Sequence, residues 1–348
     1  MQKNASRFWM RVWQGRGILA MLLLPLSLLF RLIVWARRRA YARGFLASAR
    51  LPVPVIVVGN IFVGGTGKTP LTIWLVDVLR RAGFSPGVVS RGYGRQDDEP
   101  EAVGPDSAPG RVGDEPLLIY RQARCPVVVG KKRVAAAQHL LHLHREVNIL
   151  ISDDGLQHYA MQRQMEIVVF DGRGAGNGWM LPAGPLREPL TRRRDITVVN
   201  SLNFPAPSNY IYSPDIFLLR LTGSVAEQLC DASRQIPLAS LPELVSGRPA
   251  KIAAVAGIGH PLRFFTLLRA HHLRFTEYPL PDHYPYADNP FEKMDADIIL
   301  ITEKDAVKCF QAKAIMNDAR IWVVPVRFAH SVQLEQEILE KCRGYRLA

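Results

Sequence analysis

Gly64-Gly-Thr-Gly-Lys68-Thr69 stands between an apolar, β-branched run, Leu51-Pro-Val-Pro-Val-Ile-Val-Val58, and a periodic apolar stretch, Leu71–Leu79. A strand, a glycine-rich turn and a helix in that order are what a phosphate-binding loop requires. Glycines let backbone N–H groups wrap an anion, and the helix N-terminus adds the positive end of its dipole. Lys68 can reach the β- and γ-phosphates, and the Thr69 hydroxyl can ligate Mg²⁺. The full pattern has a glycine five residues before Gly67, where this chain carries Phe62. The core still matches, so Phe62, Val63, Gly64, Gly65, Thr66, Gly67, Lys68 and Thr69 are read as the nucleotide loop. P-loop switches that move partner proteins carry a lysine just before the double glycine; here that position is Val63.

A second chemical signal is Val147-Asn-Ile-Leu-Ile-Ser-Asp153-Asp154-Gly155, an apolar strand ending in two carboxylates. In a doubly wound sheet this end lies beside the phosphate loop, the place for holding Mg²⁺ or its water shell. A strand end followed by an Asp-Gly turn is the bland alternative. Asp114 opens a helix after Val112-Gly113, so it is either an N-cap or a carboxylate aimed at a substrate hydroxyl. His283, in Asp282-His283-Tyr284, could orient a proton acceptor or sit in an ordinary surface loop. Arg91, Arg95, Lys131, Lys132, Arg133 and Arg187 are available for an anionic substrate, whereas Arg192, Arg193 and Arg194 read as a solvated face. His139, His142 and His144 lack partnering acids and suggest no metal site. Thr302-Glu-Lys-Asp305 departs from the guanine-reading [NT]KxD at Glu303, which counts against GTP. Four scattered cysteines without a CxxC read as reduced thiols.

The elements that must position these groups alternate. Strand-like runs recur at 87–90, 126–129, 147–151, 166–170 and 195–199, with helical segments at 114–124 and 131–145. This predicts an α/β fold, a doubly wound parallel sheet with its site at the strand C-termini. Residues 201–250 are richer in Pro, Ser and Asn, which places a junction there. A smaller alternation follows: strands at 251–256, 273–280, 297–301 and 321–326, and helices at 261–271 and 303–314. The expected organisation is 1–50 as a basic hydrophobic N-terminal segment, 51–205 as the P-loop core, and 206–348 as a smaller α/β domain.

The net charge of +13 is concentrated at one end. Residues 1–50 contain ten Lys and Arg and no acid, which leaves +3 for the rest of the chain. That distribution argues against a nucleic-acid stripe. The same segment holds the apolar run from Gly17 to Phe30, interrupted by Pro25 and followed by Arg31. It could span a bilayer in principle, or be an export signal. Arginines on both flanks and one inside fit an interfacial helix better, with guanidinium groups reaching anionic headgroups.

Taken together, the motifs resemble the tetraacyldisaccharide 4′-kinases, the lipid A 4′-kinases. Val57-Val-Gly-Asn60, Val63–Thr69, Ser90-Arg-Gly-Tyr-Gly94, Gly113-Asp-Glu-Pro116, Asp153-Asp-Gly-Leu-Gln-His158, Leu181-Pro-Ala-Gly184, Leu186-Arg-Glu-Pro189, Pro281-Asp-His-Tyr284 and Thr302–Asp305 occur in that family's order, over about residues 50–310. The family also lacks the first loop glycine. The resemblance implies transfer of phosphate from MgATP to the 4′-hydroxyl of a lipid A disaccharide precursor, at the cytoplasmic face of the inner membrane. It implies that Asp114 is the catalytic base supported by His283, and that Lys68 and Thr69 hold the γ-phosphate and Mg²⁺. Asp153 and Asp154 would organise metal and phosphate, with Asp154 catalytic, and Arg133 and Arg187 would contact substrate. Membrane lipids are the expected partner of the N-terminal segment, with no nucleic acid and no obligate protein partner. A membrane-bound P-loop ATPase or GTPase switch that recruits a protein is the other reading, and a soluble small-molecule kinase a third.

Overall fold

A computed structural model of the chain describes residues 8–92, 95, 97–200, 215–245 and 247–344. Its centre is an eight-stranded sheet in the order β3-β4-β2-β5-β1-β6-β7-β8. The strands are β1 (Val55–Gly59), β2 (Pro86–Ser90), β3 (Glu101–Ala102), β4 (Val127–Val129), β5 (Ile149–Asp153), β6 (Met165–Asp171), β7 (Ile196–Asn200) and β8 (Ile216–Leu219). Every pairing is parallel except that of the short β3 with β4. Strands covered on both faces need continuous apolar runs rather than alternation. Accordingly β1, β2, β5 and β7 are buried along their whole length.

Two helical layers supply the cover, after an N-terminal pair, α1 (Ile18–Leu22) and α2 (Leu24–Ala42). On one face α3 (Lys68–Arg81) sets Leu71, Leu75, Val76 and Leu79 against Ile56, Val58 and Ile151. The short α4 (Pro109–Val112) and then α5 (Asp114–Ala123) lie on this face too. On the other face α6 (Arg133–Leu143) packs Ala136, Ala137 and Leu140 against Val57, Val89 and Leu150. β5 and β6 flank β1 on opposite sides, so strand order reverses at β1, and the loop after β1 opens at that switch point.

A six-stranded sheet, β11-β10-β15-β14-β12-β13, forms the second layer. It contains β10 (Val225–Gln228), β11 (Gln235–Pro237), β12 (Ile252–Ala256), β13 (Thr276–Pro279), β14 (Ile298–Thr302) and β15 (Ile321–Val324). β9 (Leu221–Thr222) pairs with β16 (Arg327–Phe328) apart from it. Its helices are α7 (Pro261–Ala270), α8 (Glu303–Cys309) and α9 (Lys313–Met316), so the expected helix 303–314 is two. β15 stops at Val324 because Pro325 has no N–H to continue the ladder.

The sheets do not divide at residue 205. β8 pairs in parallel with β7, and the last helix, α10 (Val332–Arg343), buries Leu334, Ile338 and Cys342 in the core of the first sheet. Residues 201–214 of the expected junction lie outside the described residues, as do Tyr93, Gly94, Lys3 and Arg7.

The N-terminal helices break where Pro25 enters the first turn of α2. α2 docks on the first domain through Ser27 Oγ, which donates to the Met180 carbonyl at 2.7 Å, and Trp13, ahead of α1, donates its Nε1–H to the Pro182 carbonyl at 2.9 Å. Phe30 and Val34 join the core below. Leu22, Leu26, Leu29, Leu32 and Ile33 are left more than half exposed. No helix among the described residues is long and apolar enough to cross a membrane.

Candidate active site

The phosphate loop is held open by its neighbours. Asn60 Nδ2 donates to the Phe62 and Gly64 carbonyls, each at 2.8 Å. Arg173 Nη2 reaches the Gly65 carbonyl at 2.8 Å, and Asn200 Nδ2 the Thr66 carbonyl at 3.2 Å. Tying carbonyls back is what lets such a loop turn its N–H groups toward an anion. Gly64 and Gly67 have φ of 100° and 98°, and a Cβ on Gly67 would stand 2.6 Å from Asn200 Nδ2. Glycine is therefore required there by conformation and by space. α3 begins at Lys68, so its first turn faces the loop. Phe62 is buried beneath the Arg173 guanidinium, 4.4 Å from the ring centre, and serves as floor where the usual glycine is missing.

Lys68 Nζ lies 3.2 Å from Asn60 Oδ1 and 3.6 Å from Asp154 Oδ1. The two neighbouring aspartates are in different environments. Asp153 is 1% exposed and accepts from the Thr72 hydroxyl at 3.1 Å and the Ser90 hydroxyl at 3.3 Å. Burial, reinforced by the charge of Glu115, pushes its carboxyl up to about 7. Asp154 turns out of the strand with φ of 50° and lines the cleft. Burial works against its charge, but Lys68 and Arg187 outweigh that and hold it below the ordinary carboxylate range. Arg187 Nη2 is 3.3 Å from Asp154 Oδ1 and donates to the Asn60 carbonyl at 2.8 Å.

Arg133 is placed differently from the sequence expectation. It is 1% exposed, donates to the Gly130 carbonyl at 2.7 Å and approaches the Asp153 carbonyl at 3.4 Å. Burial lowers it to about 10. It supports the aspartate strand from beneath and does not reach the cleft. Arg95 is likewise committed, to Val129, Glu99 and Glu101. Arg192 and Arg194 are also buried, not solvated. Arg192 pairs with Glu166 at 2.5 Å, 26 residues away, and with Glu188, four residues upstream, at 3.0 Å.

Across the cleft stands the second constellation. Asp114 is the first residue of α5, and the cap position belongs to Gly113, with φ of 94°. The N-cap reading of Asp114 therefore fails. Its Oδ2 lies 2.9 Å from His283 Nδ1, which joins the two layers. His283 holds a left-handed φ of 59° in its turn. Burial raises the Asp114 carboxyl, but the His283 hydrogen bond and the Lys308 and Lys304 ammonium groups together keep it low. Lys304 meets Glu115 at 3.3 Å and Asp282 at 3.7 Å. Glu303 is engaged elsewhere, by Gln122 Nε2 at 2.7 Å, Arg327 Nη1 at 2.7 Å and the Val326 N–H at 3.0 Å.

Both constellations open on one cavity of about 770 Å³, lined by Val63–Pro70, Glu115, Asp154 and Arg187 from the first layer and by Arg263, Asp282, His283 and Lys304 from the second. Sequence reasoning missed Asn60 as the loop's staple, Arg173, and the bridge from Arg263 to Asp171 at 2.5 Å. Asn60 had a local signal, as the polar residue ending β1. Arg263 had none, because only the tertiary fold brings α7 to the loop. No group of three or more His, Cys, Asp or Glu forms a metal cluster among the described residues. A cation here would be shared with phosphate oxygens and water, as small hard cations at phosphate loops are. The Thr69 hydroxyl and the cleft-facing Asp154 fit that role. Both oxygens of Asp153 are already taken.

Residues 19–343 match the family described as LpxK, tetraacyldisaccharide-1-P 4′-kinase. The tetraacyldisaccharide 4′-kinase of Janthinobacterium sp. (strain Marseille) is 56% identical over 347 residues, which cover 100% of this chain and 99% of that protein. That of Herminiimonas arsenicoxydans is 53% identical over 356 residues, covering 100% and 98%. A crystal structure described as an "apo" form of LpxK from Aquifex aeolicus in complex with ATP is similar with a TM-score of 0.73 at 28% identity, over 93% of this chain and 99% of that one.

Proposed function

The chain belongs to the tetraacyldisaccharide 4′-kinase family, and from that premise we propose that it transfers the γ-phosphate of ATP to the 4′-hydroxyl of a tetraacyldisaccharide 1-phosphate lipid A precursor. The observation that carries the reading is the shared cleft: a phosphate loop on one wall, and on the other the His283 imidazole, backed by Asp114. A hydrolytic switch needs the first and has no use for the second.

The roles follow from the geometry. Loop N–H groups and Lys68 hold the phosphates, and Lys68 neutralises charge gathering on the transferring group. Arg187 and Arg173 flank the same loop and fix the positions of Asp154 and the Gly65 carbonyl. Mg²⁺, held by Thr69 and Asp154, would supply further charge neutralisation at the phosphates. Asp153 stays behind, setting the Thr72 and Ser90 hydroxyls. On the other wall the Asp114–His283 pair takes the proton of the acceptor hydroxyl. A sugar hydroxyl is a poor nucleophile unless its proton has somewhere to go as the bond forms. A lone carboxylate is a weak base, and the paired imidazole makes the unit a better one near neutral pH.

The acceptor's acyl chains stay in a bilayer, so the enzyme works at a membrane, at the cytoplasmic face where ATP is available. The exposed leucines of α1 and α2, with arginines beside them, rest on that surface as an interfacial pair. The test is to incubate the purified protein with γ-labelled ATP and extracted precursor lipid. Label should enter lipid, and Lys68→Ala should lower the rate by roughly 10²–10³-fold with the fold intact. Label released only as free phosphate would favour the switch. Near-normal lipid labelling by folded Lys68→Ala would remove the loop's assigned role.

A further inference from the structure

Lys308 lies on α8, in the second layer, with its side chain 6% exposed. Its Nζ is 3.9 Å from Asp114 Oδ2, the same oxygen that His283 Nδ1 meets at 2.9 Å. It is also 3.4 Å from Asp305 Oδ1 and 5.2 Å from the centre of the Tyr286 ring. At these separations the ammonium makes no hydrogen bond, so it acts on both carboxylates as a charge and not as a donor. Asp305 Oδ1 is buried without a hydrogen bond and faces this ammonium. Asp305 Oδ2 accepts from the Gly257 N–H at 3.0 Å and the Thr302 hydroxyl at 2.7 Å. Lys308 is thus a buried cation between two carboxylates, Asp305 on its own helix and Asp114 of the other layer, and its charge favours the ionised form of both.

We infer that Lys308 is a positioning residue for phosphoryl transfer, whose buried ammonium keeps Asp114 ionised and its Oδ2 directed at His283. The inference rests on the reading of Asp114 and His283 as the proton-accepting pair. The charged groups around Asp114 are few: Lys304, Lys308 and Asp305 from α8, His283 and Asp282 from the loop after β13, and Glu115 on its own helix. Lys304 is divided between Glu115 and Asp282. Lys308 is thus the cation whose removal most exposes Asp114 to the surrounding acids. Burial already opposes the Asp114 charge, so loss of the ammonium lets the carboxyl rise. The pair then stays protonated to higher pH.

The experiment is the pH dependence of kcat for lipid phosphorylation, at saturating MgATP, in Lys308→Met, Lys308→Gln and Lys308→Arg. An opposite charge at this range is worth about one to three pH units. The acid limb of the Met and Gln variants should therefore move up by about that much, with turnover recovering toward wild type at high pH. Arg, which keeps the charge, should restore the wild-type profile. An unmoved acid limb in a folded, slower Met or Gln variant would make Lys308 a packing residue and overturn the inference. So would Met and Gln variants that fail to fold beside a normal Arg variant. Asp114→Asn and His283→Gln, measured alongside, separate the two failures. If both retain full turnover, the pair itself is wrong. If both are inactive while Lys308→Met keeps the wild-type profile, only the role of Lys308 falls.

Discussion

In the resting cleft the Lys68 ammonium is divided between Asn60 and Asp154, and Asp153 lies just behind with no access to solvent. A fully buried carboxyl pushed up to about 7 costs stability when it ionises. Its sign is worked out simply. The unfolded group titrates near 3.8 and the folded one near 7, so the native state binds the extra proton between those values. Stability from this group is present below about pH 4 and is lost as pH rises through 7. Asp153→Asn keeps the shape, retains partners for the Thr72 and Ser90 hydroxyls and removes the charge. Without nucleotide or divalent cation, it should raise Tm at pH 8, by about 1–3 kcal/mol in stability, and the gain should shrink toward pH 5. Thermal unfolding at the two pH values checks it, and a variant equally destabilised at both would show that Asp153 is simply part of the packing. Strand-end acids of this kind were legible in the sequence because the pattern is local: an apolar strand, then two aspartates, then glycine. The distinction between them was not. Nothing in Asp153-Asp154 says that one turns out and the other stays under the sheet.

At the level of elements, α2 has one face packed on the first domain and one left exposed, which the proposed function assigns to a membrane surface. Ser27, Phe30 and Val34 hold it to the first domain, and Leu22 of α1 with Leu26, Leu29 and Ile33 faces outward. Substitution on each face should separate the functions. Leu26→Asp with Leu29→Asp and Ile33→Asp should leave folding stability nearly unchanged, since surface changes seldom exceed about 0.5 kcal/mol. It should abolish binding to anionic vesicles. Phe30→Ala should instead lower stability by about 1–3 kcal/mol while sparing vesicle binding per folded molecule. Vesicle co-sedimentation should also weaken from 0.1 to 1 M salt, because the screening length contracts from about 10 to about 3 Å. Unchanged sedimentation of the triple aspartate variant would place the membrane contact elsewhere. The existence of this segment was plain from its apolar run and its arginines, and Pro25 correctly marked the break. Its docking face was not, because Ser27 meets its partner, the Met180 carbonyl, 153 residues away. The arginine run at 192–194 was misread for a different reason: Glu188 stood four residues from Arg192 in the sequence, but only the fold adds Glu166 and the burial that make the pairing structural.

On the scale of the whole molecule, the Asp114–His283 pair exists only because two layers meet. Asp114 begins a helix of the first, His283 sits in a loop of the second, and 169 residues separate them in sequence. Neither was distinguishable from a cap or a loop residue by its own surroundings; the order of family motifs supplied the link, and the fold supplied the contact. Gln122–Glu303–Arg327 and Arg263–Asp171 tie the layers together elsewhere along the cleft. With this framework in place, losing one member of the pair should not separate the layers. That makes a double-mutant cycle interpretable. Asp114→Ala and His283→Ala should each cut kcat by roughly 10²–10⁴-fold, the usual worth of a positioned proton acceptor, with ATP affinity unchanged. If the two side chains form one unit, the double variant should be little slower than the slower single variant, since removing either half already disables the whole. Rates at saturating MgATP, with nucleotide binding measured separately, decide the matter. Multiplicative losses would mean that Asp114 and His283 act on different steps. The 2.9 Å contact would then be a strut between layers, and the base would have to be sought among the other acids on the cleft wall, with Glu115 and Asp282 the first to test.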